Sequence, residues 1–208
     1  SFGHHAAARY GTRGGVRTAE EAEGFQQVWL SARRLNQIIL DQARAFNLPL
    51  ISFPPSASIT SDNRKILTWN LQPITRALEM DLIPLIYGDV IADLSLGGTI
   101  LSTEELFVHL AHALHPNRIL LAGKEEGVFA DFPHNQHLIR QIPSHADLTD
   151  SLQGSASQDV TGGMLTKVQS MQALCRDLPD LTVNIFSAVS PGTLLQALNN
   201  CGIGTLIH

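Results

Sequence analysis

The sequence predicts an α/β protein in which a mainly parallel sheet is covered by helices on both faces. Three observations carry this. Short apolar runs alternate with amphipathic stretches along the chain. Those runs are near-continuous in hydrophobic residues, as in strands buried on both sides. Gly- and Pro-containing turns separate the two kinds of segment. With 208 residues, 44% of them hydrophobic, the chain fills one well-cored domain. No repeat or linker composition interrupts residues 1–208, which are expected to form a single domain.

The elements follow in order. "SFGHHAAARYGT" leads into an Ala-rich helix start, where Gly3 lets the backbone approach a ligand closely and free N–H groups face an anion. Thr18–Phe46 predicts a helix with a capping box, Thr18 followed by Glu21. Its apolar residues Phe25, Val28, Trp29, Ala32, Leu35 and Ile39 recur at helical spacing, and the run stops at Asn47 and Pro49. Residues 49–53 read as a strand and "LQPITRALEMD" as a helix with Pro73 in its first turn. Residues 82–90 read as one strand running into a Gly-Asp turn. "STEELFVHLAHALHP" is a helix capped by Ser102 or Thr103, and residues 118–123 are a strand. Residues 130–158 read as a hairpin or excursion at the sheet edge. "DVTGGMLTKVQSMQALCRDL" is a loop and helix, "LTVNIFSA" a strand, "SPGTLLQALNN" a helix and residues 204–208 a last strand.

The formal net charge of -5, with nine histidines counted neutral, argues against nucleic acid or an anionic membrane as partner. A small anion held by a few local cations remains compatible. Cys175 and Cys201 lie in apolar settings and are expected to be buried free thiols of a reducing compartment. No run of about 18 apolar residues and no signal peptide is present, so a cytoplasmic location is expected.

In such sheets ligands bind beyond the carboxyl ends of the strands, so glycine turns there are the first candidates. Three stand out: residues 1–5, "YGDV" at 87–90, and "DVTGGMLTK" at 159–167. In the last, Gly162 and Gly163 precede a helix and Lys167 follows Gly163 by one helical turn. That spacing puts the ammonium on the face of the exposed N–H groups, where a polyphosphate would sit. Taken alone, the pattern more often marks a plain turn with an exposed lysine, and the Walker pattern is absent. His4 and His5 also fit a frayed terminus, and Asp89 a turn cap. His109, His112 and His115 drift around a helix axis and do not converge on one metal ion, so they read as a solvated face. His134 and His137 read as loop.

Together, "SFGHHAAARYGT", "ISFPPSASI", "PLIYGDVIAD", "LSTEEL", "RILLAGKEEGVF" and "DVTGGMLTK" resemble, in order, the isopentenyl phosphate kinases of the amino acid kinase superfamily. The resemblance spans nearly the whole chain. It implies a three-layer αβα sandwich, with an acceptor-phosphate lobe over about 1–115 and a nucleotide lobe over about 116–208. It implies that a Gly-rich strand end with a lysine precedes Ser1, so that the sequence is a truncated form. The expected activity is ATP-dependent phosphorylation of isopentenyl phosphate, with Mg2+ accompanying ATP. Family members are commonly homodimers, which this sequence does not itself fix.

Roles implied by the resemblance follow residue by residue. His4 matches the histidine that holds and orients the acceptor phosphate, with Gly3 giving close approach and Gly88 and Asp89 in the second turn. Phe25, Val28 and Trp29 stand where the family builds its apolar slot, although core packing explains them as well. Asp159, Gly162, Gly163 and Lys167 match the positions that hold ATP phosphates, Lys167 neutralising charge on the transferring group. No protein metal ligand is implied. Two departures stand out. Thr103 and Glu104 replace a Gly-Asp pair in which the acid organises the catalytic lysines, and Lys124 replaces an acid in the nucleotide loop, where it would touch ATP. Two other readings stay open: a kinase for another small phosphate or phosphonate, such as a fosfomycin-type antibiotic, and a degenerate nucleotide-binding sensor. The leading reading expects the imidazole of His4 and the ammonium of Lys167 at one rim of the sheet.

Overall fold

The computed structural model describes residues 2–131, 134–147 and 163–208. Helix α1 (His4–Tyr10) stops at Gly11, whose left-handed φ of 60° ends the helix at little steric cost. It packs on α2 (Ala19–Ala45) at Gly24, where a Cβ would lie 2.3 Å from Tyr10 Cβ. Both halves of the predicted capping box start α2. The Glu21 amide donates to Thr18 Oγ1 (3.2 Å) and the Glu21 carboxylate accepts the Thr18 amide (2.8 Å). The helix closes at Phe46, as the sequence predicts.

Five strands and a helix follow: β1 (Leu50–Ser52), β2 (Ile59–Asp62), β3 (Lys65–Trp69), α3 (Gln72–Glu79), β4 (Ile83–Leu85) and β5 (Asp89–Asp93). With β6 (Gly97–Leu101) they form a parallel pair, β1-β4, and a four-stranded sheet in the order β3-β2-β5-β6. The expected strand over 82–90 is thus two strands in different sheets, parted at residues 86–88 where the chain turns into Gly88. Ile59, Ile91, Leu101 and Leu106 form the sheet's core cluster, with Ile66, Trp69 and Ile86 packed against it.

Helix α4 (Thr103–Leu114) is capped by Ser102, whose hydroxyl accepts the Glu105 amide (3.2 Å) while Glu105 Oε2 accepts the Ser102 amide (2.7 Å). The chain divides into two compact units within this helix, residues 1–107 and 108–208. The second unit holds β7 (Arg118–Gly123), β8 (Val128–Phe129), β9 (Leu138–Ile139), β10 (Gln141–Ile142), α5 (Gly163–Asp177), β11 (Thr182–Ser187), α6 (Thr193–Leu198) and β12 (Thr205–Ile207). Its main sheet runs β10-β12-β11-β7, and β8 and β9 form a separate antiparallel pair whose first strand precedes the 130–158 stretch, of which residues 132–133 and 148–158 lie outside the described residues. Registration aligns Ile119, Val183, Ile207 and Ile142 in one cross-strand row, buried with Val168, Met171 and Leu174 of α5.

The α/β architecture and its parallel crossovers stand as the sequence predicts. Four of the described strand pairings are parallel (β1-β4, β2-β5, β10-β12, β11-β7). Four are antiparallel, a larger share than expected, because tight turns join β2 to β3 and β5 to β6 while β8-β9 and β11-β12 pair head to tail. Among the described helices none is long and apolar enough to cross a membrane. Cys175 is buried and free, as expected. Cys201 corrects the expectation: it is exposed, because it follows Asn200 (φ 58°) on the turn after α6 instead of entering a strand.

Candidate active site

In the first unit the Gly88 turn is built with little tolerance. The Gly88 amide donates to Thr103 Oγ1 (3.1 Å), and a Cβ on Gly88 would lie 3.2 Å from both Leu101 O and Thr103 N. Thr103 therefore pins this turn to the start of α4. Asp89 follows at 1% exposure; one carboxylate oxygen accepts the Ser56 amide (3.1 Å) and the other the Val90 amide (2.9 Å). Burial raises its pKa, against the opposing pull of these hydrogen bonds. Asp89 thus ties the 3-10 turn Pro55–Ala57 to the head of β5, a structural role close to the turn cap that its sequence position suggests.

Tyr87 was not singled out by the sequence. Its pKa is pushed up to about 12 by burial and by the Asp89 carboxylate, with Arg33 of α2 acting the other way. Arg33 stacks its guanidinium over Trp29, 5.2 Å from the ring centroid. Trp29 is half-buried, whereas Val28 is buried beneath Gly3 and Phe25 packs on Gly98, where a Cβ would lie 2.7 Å from its ring. Gly3 itself is different: a Cβ there would make only ordinary contact with Val28, at 3.5 Å. Packing among the described residues of this unit therefore does not demand glycine at position 3. His4 is the first residue of α1.

Glu104 lies in the first turn of α4, half-buried, next to the capping Glu105. Glu105 bonds Arg64 and lies 3.5 Å from Arg13. Burial works against its ionisation, but the Ser102 amide and hydroxyl together with Arg64 and Arg13 outweigh that and hold its carboxyl below the usual range. The Ser-x-x-Glu spacing of a capping box was the signal for Glu105 in the sequence. A second buried acid, Asp93 at the end of β5, organises two turns at once. It accepts Ser61 Oγ (2.7 Å) and the amides of Asn63 (3.0 Å), Arg64 (2.8 Å), Ser95 (3.1 Å) and Leu96 (2.9 Å). Burial opposes its charge, yet these bonds lower its pKa to about 2.

In the second unit Gly163 is the first residue of α5 and Lys167 lies one turn further along, half-buried, beside the fully buried Val168. Asp159 and Gly162 lie outside the described residues. Strand β7 ends at Gly123, where a Cβ would meet nothing within 4 Å, and Lys124 beyond it is exposed. The Lys124 carbonyl accepts the Ser187 hydroxyl at the matching end of β11 (2.9 Å), so the two strand ends are tied together. A Gly-started helix with a lysine one turn in is a general anion-binding pattern.

The histidines divide by environment. His109 is half-buried, with its pKa lowered by burial and by His112; His112 stands 3.7 Å from Asp177; His115 lies past the helix end at φ 47°. His137 pairs with Asp131 (3.0 Å) in the β8-β9 loop, near the exposed His134. Among the described residues no group of three His, Cys, Asp or Glu side chains could hold a metal ion.

Known proteins share this sequence pattern and fold. The family model described as "Amino acid kinase family" matches residues 1–186. The chain is 29% identical over 206 residues to the isopentenyl phosphate kinase of Methanothermobacter thermautotrophicus, covering 95% of this chain and 77% of that protein. It is 30% identical over 182 residues to the isopentenyl phosphate kinase of Haloferax volcanii, covering 86% and 72%. A solved structure titled "X-ray structures of isopentenyl phosphate kinase" superposes with a TM-score of 0.82 at 26% identity, covering 100% of this chain and 80% of that one.

Proposed function

Because the chain belongs to the amino acid kinase family, we propose that it transfers the γ-phosphoryl group of ATP to isopentenyl phosphate, giving isopentenyl diphosphate and ADP. The observation that carries this reading is the presence in one chain of Ser-Phe-Gly-His at the head of α1 and Gly163, Met164 and Lys167 at the head of α5. The first suits an acceptor that is already a phosphate. The second suits a nucleotide donor.

In this reading an oxygen of the acceptor phosphate bonds to the γ-phosphorus as the bond to the β,γ-bridging oxygen breaks, and ADP leaves with that electron pair. The nucleophile is an anion, so the protein's work is positioning and neutralising charge. His4 donates a hydrogen bond to the acceptor phosphate and orients it. Gly3 leaves room beside it, which agrees with the absence of any packing demand for glycine there. The Gly88-Asp89 turn, held by Thr103 and Ser56, offers a rigid wall to the acceptor. Trp29, Phe25 and Val28 of α2 supply the apolar slot for the tail. Glu104 orders the lysines about the transferring group. The amides after Gly162 and Gly163, together with Lys124 and Lys167, hold the ATP phosphates, with Asp159 shaping the loop. Mg2+ accompanying the nucleotide would supply further charge neutralisation.

Incubation with ATP, Mg2+ and isopentenyl phosphate is expected to yield ADP and isopentenyl diphosphate in equal amounts, read by phosphorus NMR. Fosfomycin in place of isopentenyl phosphate is expected to turn over more slowly; faster turnover would assign the enzyme to that acceptor class. ATP binding without ADP from either acceptor would establish the sensor reading that the Thr103, Glu104 and Lys124 replacements suggest.

A further inference from the structure

The sheet of the second unit has two unlike faces. The row Ile119, Val183, Ile207 and Ile142 is buried in the core with α5, so the neighbouring row Leu120, Asn184, Leu206 and Gln141 faces the other way. Over that second face the α6-to-β12 connection folds back as an arch. Asn200 (φ 58°), Gly202 (φ 65°) and Gly204 (φ 72°) supply its left-handed bends, and Asn184 Nδ2 donates to Ile203 O (2.8 Å) to hold it down. Gly204 cannot carry a side chain here, since a Cβ would stand 2.1 Å from Ile185 O. Between arch and sheet is a cavity of about 400 Å³, within the range of small-molecule sites.

Its lining is chemically one-sided. Two arginines, Arg118 and Arg140, border it, and no aspartate or glutamate does, in a chain whose net charge is -5. Arg118 is fixed by donating to Ala197 O (2.6 Å) and Leu198 O (3.2 Å) at the end of α6, which uses part of its five-donor fork. The Arg140 side chain is exposed and makes no ion pair or hydrogen bond among the described residues. Leu120, Leu206 and Ile203 give the cavity an apolar floor. Asn184 Oδ1 is a buried acceptor without a hydrogen-bond partner among the described residues. Arg118 begins β7, whereas Gly123, where the proposed nucleotide loop starts, ends it.

We propose that this cavity is a second binding site, distinct from the phosphoryl-transfer residues, for a small organic anion: a short apolar body on the sheet face with a phosphate or carboxylate head on Arg140 and Arg118. The site carries its own reporter, because Cys201 is an exposed thiol on its rim while Cys175 is buried.

The test measures the alkylation rate of Cys201 in the full chain by intact mass, with no addition or with millimolar isopentenyl diphosphate, isovalerate or inorganic phosphate. At least one organic anion is expected to slow labelling by about fivefold or more, and which one does so identifies the head group. Arg140→Gln and Arg140→Glu, changes at an exposed side chain, are expected to abolish the protection, whereas Lys167→Ala is expected to retain it. The proposal is overturned if neither organic anion protects, or if inorganic phosphate protects as well as they do. It is equally overturned if protection survives both Arg140 variants or disappears with Lys167→Ala, which would place the ligand at the transfer residues.

Discussion

Replacing Asp93 by alanine removes the acceptor for five hydrogen bonds that join the β2-β3 and β5-β6 turns. Asn63 and Ser95 belong to exposed residues, and their amides regain water when the carboxylate is deleted. The Ser61 hydroxyl is fully buried but keeps Ala92 O as an acceptor (3.3 Å), whereas the Arg64 and Leu96 amides are half-buried, so two donors lose their partner with little replacement. At roughly 1–1.5 kcal/mol for each, the expected loss is about 2–3 kcal/mol. Asp93→Asn keeps one oxygen and turns a donor toward the Arg64 amide, so about half that loss is expected. Both tryptophans, Trp29 and Trp69, lie in the first unit, so their fluorescence during urea unfolding reports on that unit. The pH dependence adds a check. The folded carboxyl titrates near 2, below its unfolded value, so its contribution is full above about pH 4 and fades as pH falls through 2. The gap between the native protein and Asp93→Asn should therefore be constant from pH 5 to 8 and narrow in acid. A loss below about 1 kcal/mol in Asp93→Ala, or a gap that widens in acid, would refute the reasoning.

Four further outcomes are expected. His4→Ala should raise KM for isopentenyl phosphate by about 10- to 100-fold with ATP affinity unchanged, whereas Lys167→Ala should mainly lower kcat; equal loss of ATP binding in both would contradict the assigned roles. Gly88→Ala, which puts a methyl 3.2 Å from two backbone atoms, should lower kcat/KM for the acceptor by about tenfold through a shifted turn, measured by steady-state kinetics at saturating ATP. Thr205→Val should destabilise the second unit by about 2–3 kcal/mol in a circular-dichroism melt, because the fully buried hydroxyl accepts the Val128 amide (2.8 Å) and donates to Ile139 O (2.6 Å). Glu105→Gln should weaken the start of α4 at neutral pH by about 1–2 kcal/mol. The carboxyl is held below its ordinary value, so this difference should shrink as pH falls below about 4.

What the sequence revealed was what neighbours along the chain decide. Helix α2 runs between Thr18 and Phe46 because a capping box and a helical apolar period both lie within a few residues of the ends they set. Strand β7 matches its expected span, 118–123, because a continuous apolar run leaves few alternatives. The β2-β3 hairpin was hidden for the opposite reason. Asn63 (φ 46°) and Arg64 (φ 68°) adopt left-handed conformations that an arginine rarely takes, and Asp93, some thirty positions away, supplies the bonds that hold them there. The same distance hid the coupling of Asp89 to Ser56 and of Thr103 to Gly88. Of the candidate site, the glycine turns and lysines were legible from their spacing. The bracing beneath them was not, and Cys201 was misplaced because apolar neighbours do not reveal a turn.

The alternation of side chains along β7 and β11 also fixes how the second unit folds. Sliding β7 by one position against β11 would carry the guanidinium of Arg118 into the hydrocarbon layer occupied by Ile119 and leave that isoleucine in water. Misaligned pairings therefore carry a built-in penalty, and the charge at the strand's first residue acts as a proofreader of register during assembly.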